Sequence, residues 1–141
     1  IEHGWNTWQR YVDSVGQDHV LKEGRLDRVF DASRVIVCTY PETTFSEAMA
    51  SGVPTILLYP DALYEIDPVA YPLLETLRSA SVVFHDPGAA ARHINAIWDD
   101  PDLWWESPDV LRAREEFRLQ ATLLDSDWVR RWTSFVEEVV S

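Results

Sequence analysis

The stretch Arg34–Asp61, RVIVCTYPETTFSEAMASGVPTILLYPD, decides the fold. Val35, Ile36, Val37 and Cys38 form a continuous apolar run rich in β-branched residues, which predicts a strand buried on both faces of a parallel sheet. Thr39 to Thr44 supply hydroxyls and backbone N–H groups where a helix begins. Phe45, Ala48 and Met49 fall at i, i+3 and i+4, one helix face. Gly52 stands where a helix-ending glycine is expected, with Pro54 behind it. Val53–Tyr59 is again strand-like. A strand–helix–strand unit this short predicts a right-handed crossover between parallel strands. Its ligand crevice is expected at the carboxyl end of the first strand. That places Thr39, Tyr40, Thr43, Thr44 and Glu47 around one site.

Outward from this core, Trp5, Trp8 and Val12 are spaced for one helix face, which Gly16 ends. His19–Leu21 is expected to be a short edge strand, and Arg25–Ser33 a helix that delivers the chain into the first core strand. Beyond Asp61, a loop from Pro60 to Pro72 is placed to cover the crevice. Val69–Ala80 reads as a helix with Leu73, Leu74 and Leu77 on one side, and Pro72 fits only in its first turn. Val82–His85 is a third strand. A helix follows from about Asp86, burying Ala90, Ile94, Ile97 and Trp98. Asp99, Asp100 and Pro101 break it. The remainder is helical: a short segment with Asp102 as its cap, a helix from Ser107-Pro108 to about Leu124, and a last helix capped by Ser126 or Asp127. That last helix carries Trp128, Trp132, Phe135, Val136 and Val139. The pattern predicts an α/β Rossmann-like three-layer sandwich with a parallel sheet, and a helical tail (about 99–141) packed back on it.

The 141 residues suffice for one domain with a real core, and 46% hydrophobic content is globular. A net charge of −12 argues against nucleic-acid partners, whose phosphates a broad acidic face repels. One small phosphate-bearing ligand in a local pocket remains compatible with it. The single cysteine excludes an intrachain disulfide and suits a reducing, cytoplasmic compartment. Four scattered histidines show none of the zinc spacings, so no metal is expected. No apolar run reaches membrane-spanning length. The chain opens at Ile1 and meets His3-Gly4 almost at once, which reads as the carboxyl-terminal piece of a longer protein.

These residues resemble the donor-binding half of GT-B glycosyltransferases. More narrowly, the chain is similar to transferases of bacterial surface-carbohydrate (O-antigen and capsule) biosynthesis that carry a TTF-x-E motif. The matching residues are Ser33-Arg34, Cys38-Thr39-Tyr40, Thr43-Thr44-Phe45, Glu47 and Pro54-Thr55, with Ala96–Asp100 and Trp104-Trp105 in the tail and His3-Gly4-Trp5 upstream. The resemblance implies a Rossmann-like GT-B half that binds a nucleotide-sugar as substrate, with no further cofactor. The binding residues it implies are Thr39, Tyr40, Thr43, Thr44, Glu47, His3 and Gly4. It also implies an amino-terminal domain that carries the acceptor site, with membrane association only peripheral and through the full-length protein. The wider GT-B pattern places an acidic residue eight positions before its donor-helix glutamate. Glu47 matches that glutamate, but Thr39 stands where the first acid belongs.

Each candidate has a plainer role beside the functional one. Thr44 with Glu47 three residues on is also the spacing of a helix capping box. Tyr40 and Tyr64 either pack on a base or sugar or line the core edge. His3 and His85 are each a ligand contact or a structural histidine. Two other functions stay open: a non-catalytic interaction domain of the same fold, and a phosphoglycerol-type transferase.

Overall fold

A computed structural model describes residues 6–21, 24–121 and 127–140. The chain divides between Ala32 and Ser33 into two compact units. In the first, helix α1 spans Thr7–Val15 and helix α2 spans Leu26–Asp31. Gly16 adopts φ 87°, a left-handed turn that ends α1 and suits glycine. The strand expected at His19–Leu21 is absent. Gln17–His19 forms a 3-10 turn instead, and Val20 and Leu21 join no ladder. A single apolar dipeptide offers too few ladder bonds to hold an edge by itself.

The second unit is an α/β assembly, mostly helical, around a three-stranded parallel sheet. Its elements are β1 (Ile36–Cys38), α3 (Thr43–Ser51), β2 (Thr55–Leu58), α4 (Tyr71–Ser79), β3 (Val83–Phe84), α5 (Pro87–Ile97), α6 (Pro101–Trp105), α7 (Pro108–Ala121) and α8 (Trp128–Val140). The strand order is β1-β2-β3, with Cys38 opposite Leu57 and Leu58 opposite Phe84. Ile56 and Leu57 of the middle strand are wholly buried, as their unbroken apolar run predicts. β1 departs from that expectation. Ile36 and Cys38 are buried, whereas Val37, on the other face by the two-residue period, is 42% exposed. β1 lies at the edge of this sheet, where one face has less cover.

Helix α3 packs on β1 and β2 through Phe45, Ala48 and Met49, the face read from their spacing. Helix α5 packs on β2 and β3, and α4 on β3. Pro72 falls in the first turn of α4, and Asp86 caps α5 by accepting a 2.7 Å hydrogen bond from the Ala89 N–H. Asp100, not Asp102, caps α6, through a 3.2 Å bond from Leu103 N–H. Pro101 takes the first helical position there, which moves the cap one residue ahead of it. Trp98 is 52% exposed rather than core: it stands at the C-cap just beyond Ile97, where α5 ends, with the Arg34 guanidinium 5.7 Å from its ring centre. Arg34 also donates to the carbonyls of Trp98 (2.8 Å) and Asp99, satisfying groups that the helix end leaves open.

The tail divides in two. Helix α7 buries Val110, Ala113 and Phe117 against α3, α4 and α6. Helix α8 buries nothing, so the expectation that the tail packs back on the body holds only as far as α7. Leu124 and Ser126 lie outside the described residues. No described helix is long and apolar enough to cross a membrane.

Candidate functional site

Because all three strands run parallel, their carboxyl ends open on one edge of the sheet. Thr39 and Tyr40 leave β1 there, Tyr59 and Asp61 follow β2, and His85 follows β3. This is the edge at which open parallel sheets place their ligands. The amino terminus of α3 begins on the same side, since the chain turns directly from β1 into it.

That helix start is left open. Glu42 occupies the cap position in extended backbone, and its side chain makes no capping bond. Its carbonyl receives the N–H groups of Phe45 at 2.9 Å and Ser46 at 3.3 Å. The remaining first-turn amides belong to Thr43 and Thr44. Such amides, at the positive end of the helix dipole, are the groups that bind anions. The capping box suggested by spacing does not form, because Thr44 lies inside the helix rather than at its cap. Thr39, Tyr40, Thr43, Thr44 and Glu47 are all exposed, none sealed beneath other side chains. His3 and Gly4 lie outside the described residues.

An aromatic ladder crosses the sheet edge beside this opening. Tyr40 meets Tyr64 edge-on with ring centroids 5.8 Å apart, Tyr64 meets Tyr59 at 5.6 Å, and Tyr59 meets His85 at 4.7 Å. Edge-to-face contacts at these distances are favourable for aromatic pairs. Tyr64, carried on the loop after β2, thereby ties the end of β1 to that of β2. His85 Nδ1 lies 3.0 Å from the Tyr59 carbonyl oxygen, which accepts only if Nδ1 carries the proton. Burial raises the Tyr59 phenol above its ordinary range, with help from Asp61 and Tyr71. Desolvation raises Tyr64 too, followed by its contacts with Tyr40 and Glu42. Both phenols therefore stay protonated and serve as neutral hydrogen-bonding groups.

Beyond His85 the edge continues into an open cleft of about 670 Å³, lined by Tyr59, Asp61, Tyr71, Glu75, Arg78 and His85, with Pro72 and Leu74. Arg78 grips Glu75 through two bonds of 2.7 and 2.6 Å, which lowers the Glu75 carboxyl and raises the guanidinium. Sequence reasoning named His85 here but missed Tyr59, Asp61, Tyr71, Glu75 and Arg78. Their signal was position: two follow the end of β2, and three lie on the helix that the covering loop delivers.

A family model described as LIC12162 family transferase matches residues 1–136 of the 141. The chain belongs to the LIC12162 family of transferases. Neither a curated protein nor a solved structure matches it. In this LIC12162 family member no group of three or more histidine, cysteine, aspartate or glutamate side chains is placed to hold a metal ion among the described residues. Cys38 is no nucleophile candidate. Burial pushes its thiol up to about 11, and it points to the Thr44 carbonyl at 4.0 Å. What the edge offers is amide and hydroxyl donors at a helix start, flanked by neutral phenols and an imidazole. Such groups have the chemistry to accept hydrogen bonds from, and donate them to, an anionic, hydroxyl-bearing molecule.

Proposed function

We propose that this chain is the donor-binding domain of a glycosyltransferase, a Rossmann-like GT-B half that holds a nucleotide-sugar during transfer to a surface-polysaccharide acceptor. The observation that carries the proposal is the uncapped start of α3 at the carboxyl edge of the parallel sheet. The amides and hydroxyls of Thr43 and Thr44 hold the donor's phosphates, with Thr39 and Tyr40 at the strand exit beside them. Glu47, one turn further on, accepts hydrogen bonds from ribose or sugar hydroxyls. Transfer leaves negative charge on the departing nucleotide, and fixed donors already aimed at it lower the barrier without reorganising. On this reading the acceptor site and catalytic base belong to a second domain. Membership of a transferase family supports the reaction class.

Isothermal titration with uridine and cytidine diphosphates, against adenosine diphosphate, tests it. Weak binding selective for a pyrimidine nucleotide is expected, and Thr43→Val with Thr44→Val should weaken it at least about tenfold, equivalent to roughly 1.4 kcal/mol. Equal binding by both proteins removes the site. A second reading, a non-catalytic interaction domain of the same fold, is favoured by the uncovered apolar face of α8. No nucleotide binding at all supports that alternative.

A further inference from the structure

The cleft at the ends of β2 and β3 gathers polar groups that the rest of the described chain leaves unanswered. Tyr71, Leu74, Glu75 and Arg78 recur at i, i+3, i+4 and i+7 along α4, so one face of that helix forms a wall, while Leu73 and Leu77 are buried on another. Tyr59 and Asp61 supply the side that follows β2. Tyr59 is only 1% exposed, yet its hydroxyl bonds to no described residue and is not sealed, so the surface it keeps opens on the cleft it lines. A nearly buried hydroxyl left unmet costs stability, which a bond to a ligand recovers.

The balance of these groups defines what fits. Arg78 spends Nε and Nη2 on Glu75, at 2.7 and 2.6 Å, which leaves Nη1 as its open donor. The Asp61 carboxylate has no partner among the described residues. The Tyr59 phenol, its proton held by burial and by Asp61 and Tyr71, donates without ionising. An anion here meets two carboxylates against one guanidinium already engaged. A cation answers Asp61 but leaves the Tyr59 and Arg78 donors unmet, since an ammonium accepts nothing. An uncharged ring bearing several hydroxyls answers both kinds, because each hydroxyl donates and accepts. Leu74 and the Tyr71 ring offer apolar surface to its C–H groups, and the volume of about 670 Å³ lies within the roughly 300–1,000 Å³ of small-molecule sites. We infer that this cleft is a saccharide site, in which the Tyr59 hydroxyl and Arg78 Nη1 donate to, and the Asp61 carboxylate accepts from, the hydroxyls of an uncharged sugar ring. It follows β2 and β3, whereas α3 follows β1, and it does not rest on the nucleotide reading.

NMR titration of the whole chain with glucose, galactose and N-acetylglucosamine, and separately with glucuronate and inorganic phosphate, reads this directly. At least one uncharged sugar should give saturable amide shifts at Tyr59, Asp61, Tyr71 and Arg78. Glucuronate and phosphate should bind there at least about tenfold more weakly. Tyr59→Phe and Asp61→Ala should each weaken the sugar about tenfold. The urea midpoint of Tyr59→Phe should stay at or above that of wild type, because the lost hydroxyl has no partner in the protein. The uridine-diphosphate form of the sugar that binds separates two sources of the ring, and this arm alone rests on the nucleotide reading. Cleft shifts that saturate at lower concentration than with the free sugar support a ring carried by the donor; equal ones support a ring carried by an acceptor. No saturable cleft shift with any uncharged sugar overturns the inference. So does equal binding of glucuronate or phosphate, sugar binding indifferent to Tyr59→Phe, or a Tyr59→Phe midpoint below that of wild type.

Discussion

The indole N–H of Trp105 donates a 2.7 Å hydrogen bond to the carbonyl oxygen of Gly52, joining the tail to the far end of the helix that opens the candidate site. Trp105 is wholly buried, and the Arg114 guanidinium lies 4.2 Å from its ring while donating to its carbonyl at 3.1 Å. The last carbonyls of a helix lack partners within it, so this bond satisfies one of them and holds α3 in place. Trp105→Ala is therefore expected to destabilise the fold by about 3–5 kcal/mol. Trp105→Phe, which keeps most of the packing and loses the donor, should cost about 1–2 kcal/mol. Urea denaturation followed by circular dichroism measures both; equal midpoints for wild type and Trp105→Phe would show the bond to be idle.

Gly52 itself takes φ 83° at the end of α3, and a Cβ there meets nothing within 4 Å. Its requirement is conformational, not spatial. Gly52→Ala should thus cost about 1 kcal/mol, Gly52→Asn less, and Gly52→Val more, in the order of their tolerance for left-handed backbone. The same urea midpoints, ranked, check this. Alanine and asparagine tolerated equally with wild type would mean that the turn relaxes.

Much of this was written in the chain. The apolar run at Ile36–Cys38, the spacing of Phe45, Ala48 and Met49, and the Gly52-Val53-Pro54 stop located β1, α3 and β2 because each is a local rule. The departures are tertiary. Val37 is exposed because β1 is a sheet edge, and Trp98 stands at the end of α5, where its carbonyl is met by Arg34, distant in sequence. The place of Thr43 and Thr44 at a helix start was legible from strand-to-helix spacing alone. The ladder linking Tyr40, Tyr64, Tyr59 and His85 was not, since it joins three strand ends that only the sheet's register brings level.

His93 lies between the rings of Phe84 at 5.3 Å and Trp104 at 4.8 Å, and its Nε2 is buried without a hydrogen-bond partner. Desolvation lowers its folded pKa below the ordinary 6.5. The folded state consequently binds the proton less readily than the unfolded chain. Its contribution is fully present above about pH 6.5 and is lost as pH falls through the lowered folded value. Urea midpoints at pH 7.5 and pH 5.5 should differ more for wild type than for His93→Phe. An NMR titration placing the His93 ring at or above 6.5 would contradict this.

Cys38 provides a probe of the β1–α3 connection. With its thiol near 11, on the order of one molecule in a thousand carries the thiolate at pH 8. Iodoacetamide should alkylate the folded chain at least about tenfold more slowly than the urea-unfolded one. Equal rates would mean that β1 opens freely to solvent.

Amide chemical shifts during titration with uridine diphosphate test the site most directly. The account predicts that the largest movements fall on the N–H groups of Thr43 and Thr44, with Tyr40 and Tyr64 responding beside them. Saturable shifts confined to other surfaces, or none at millimolar nucleotide, would contradict it.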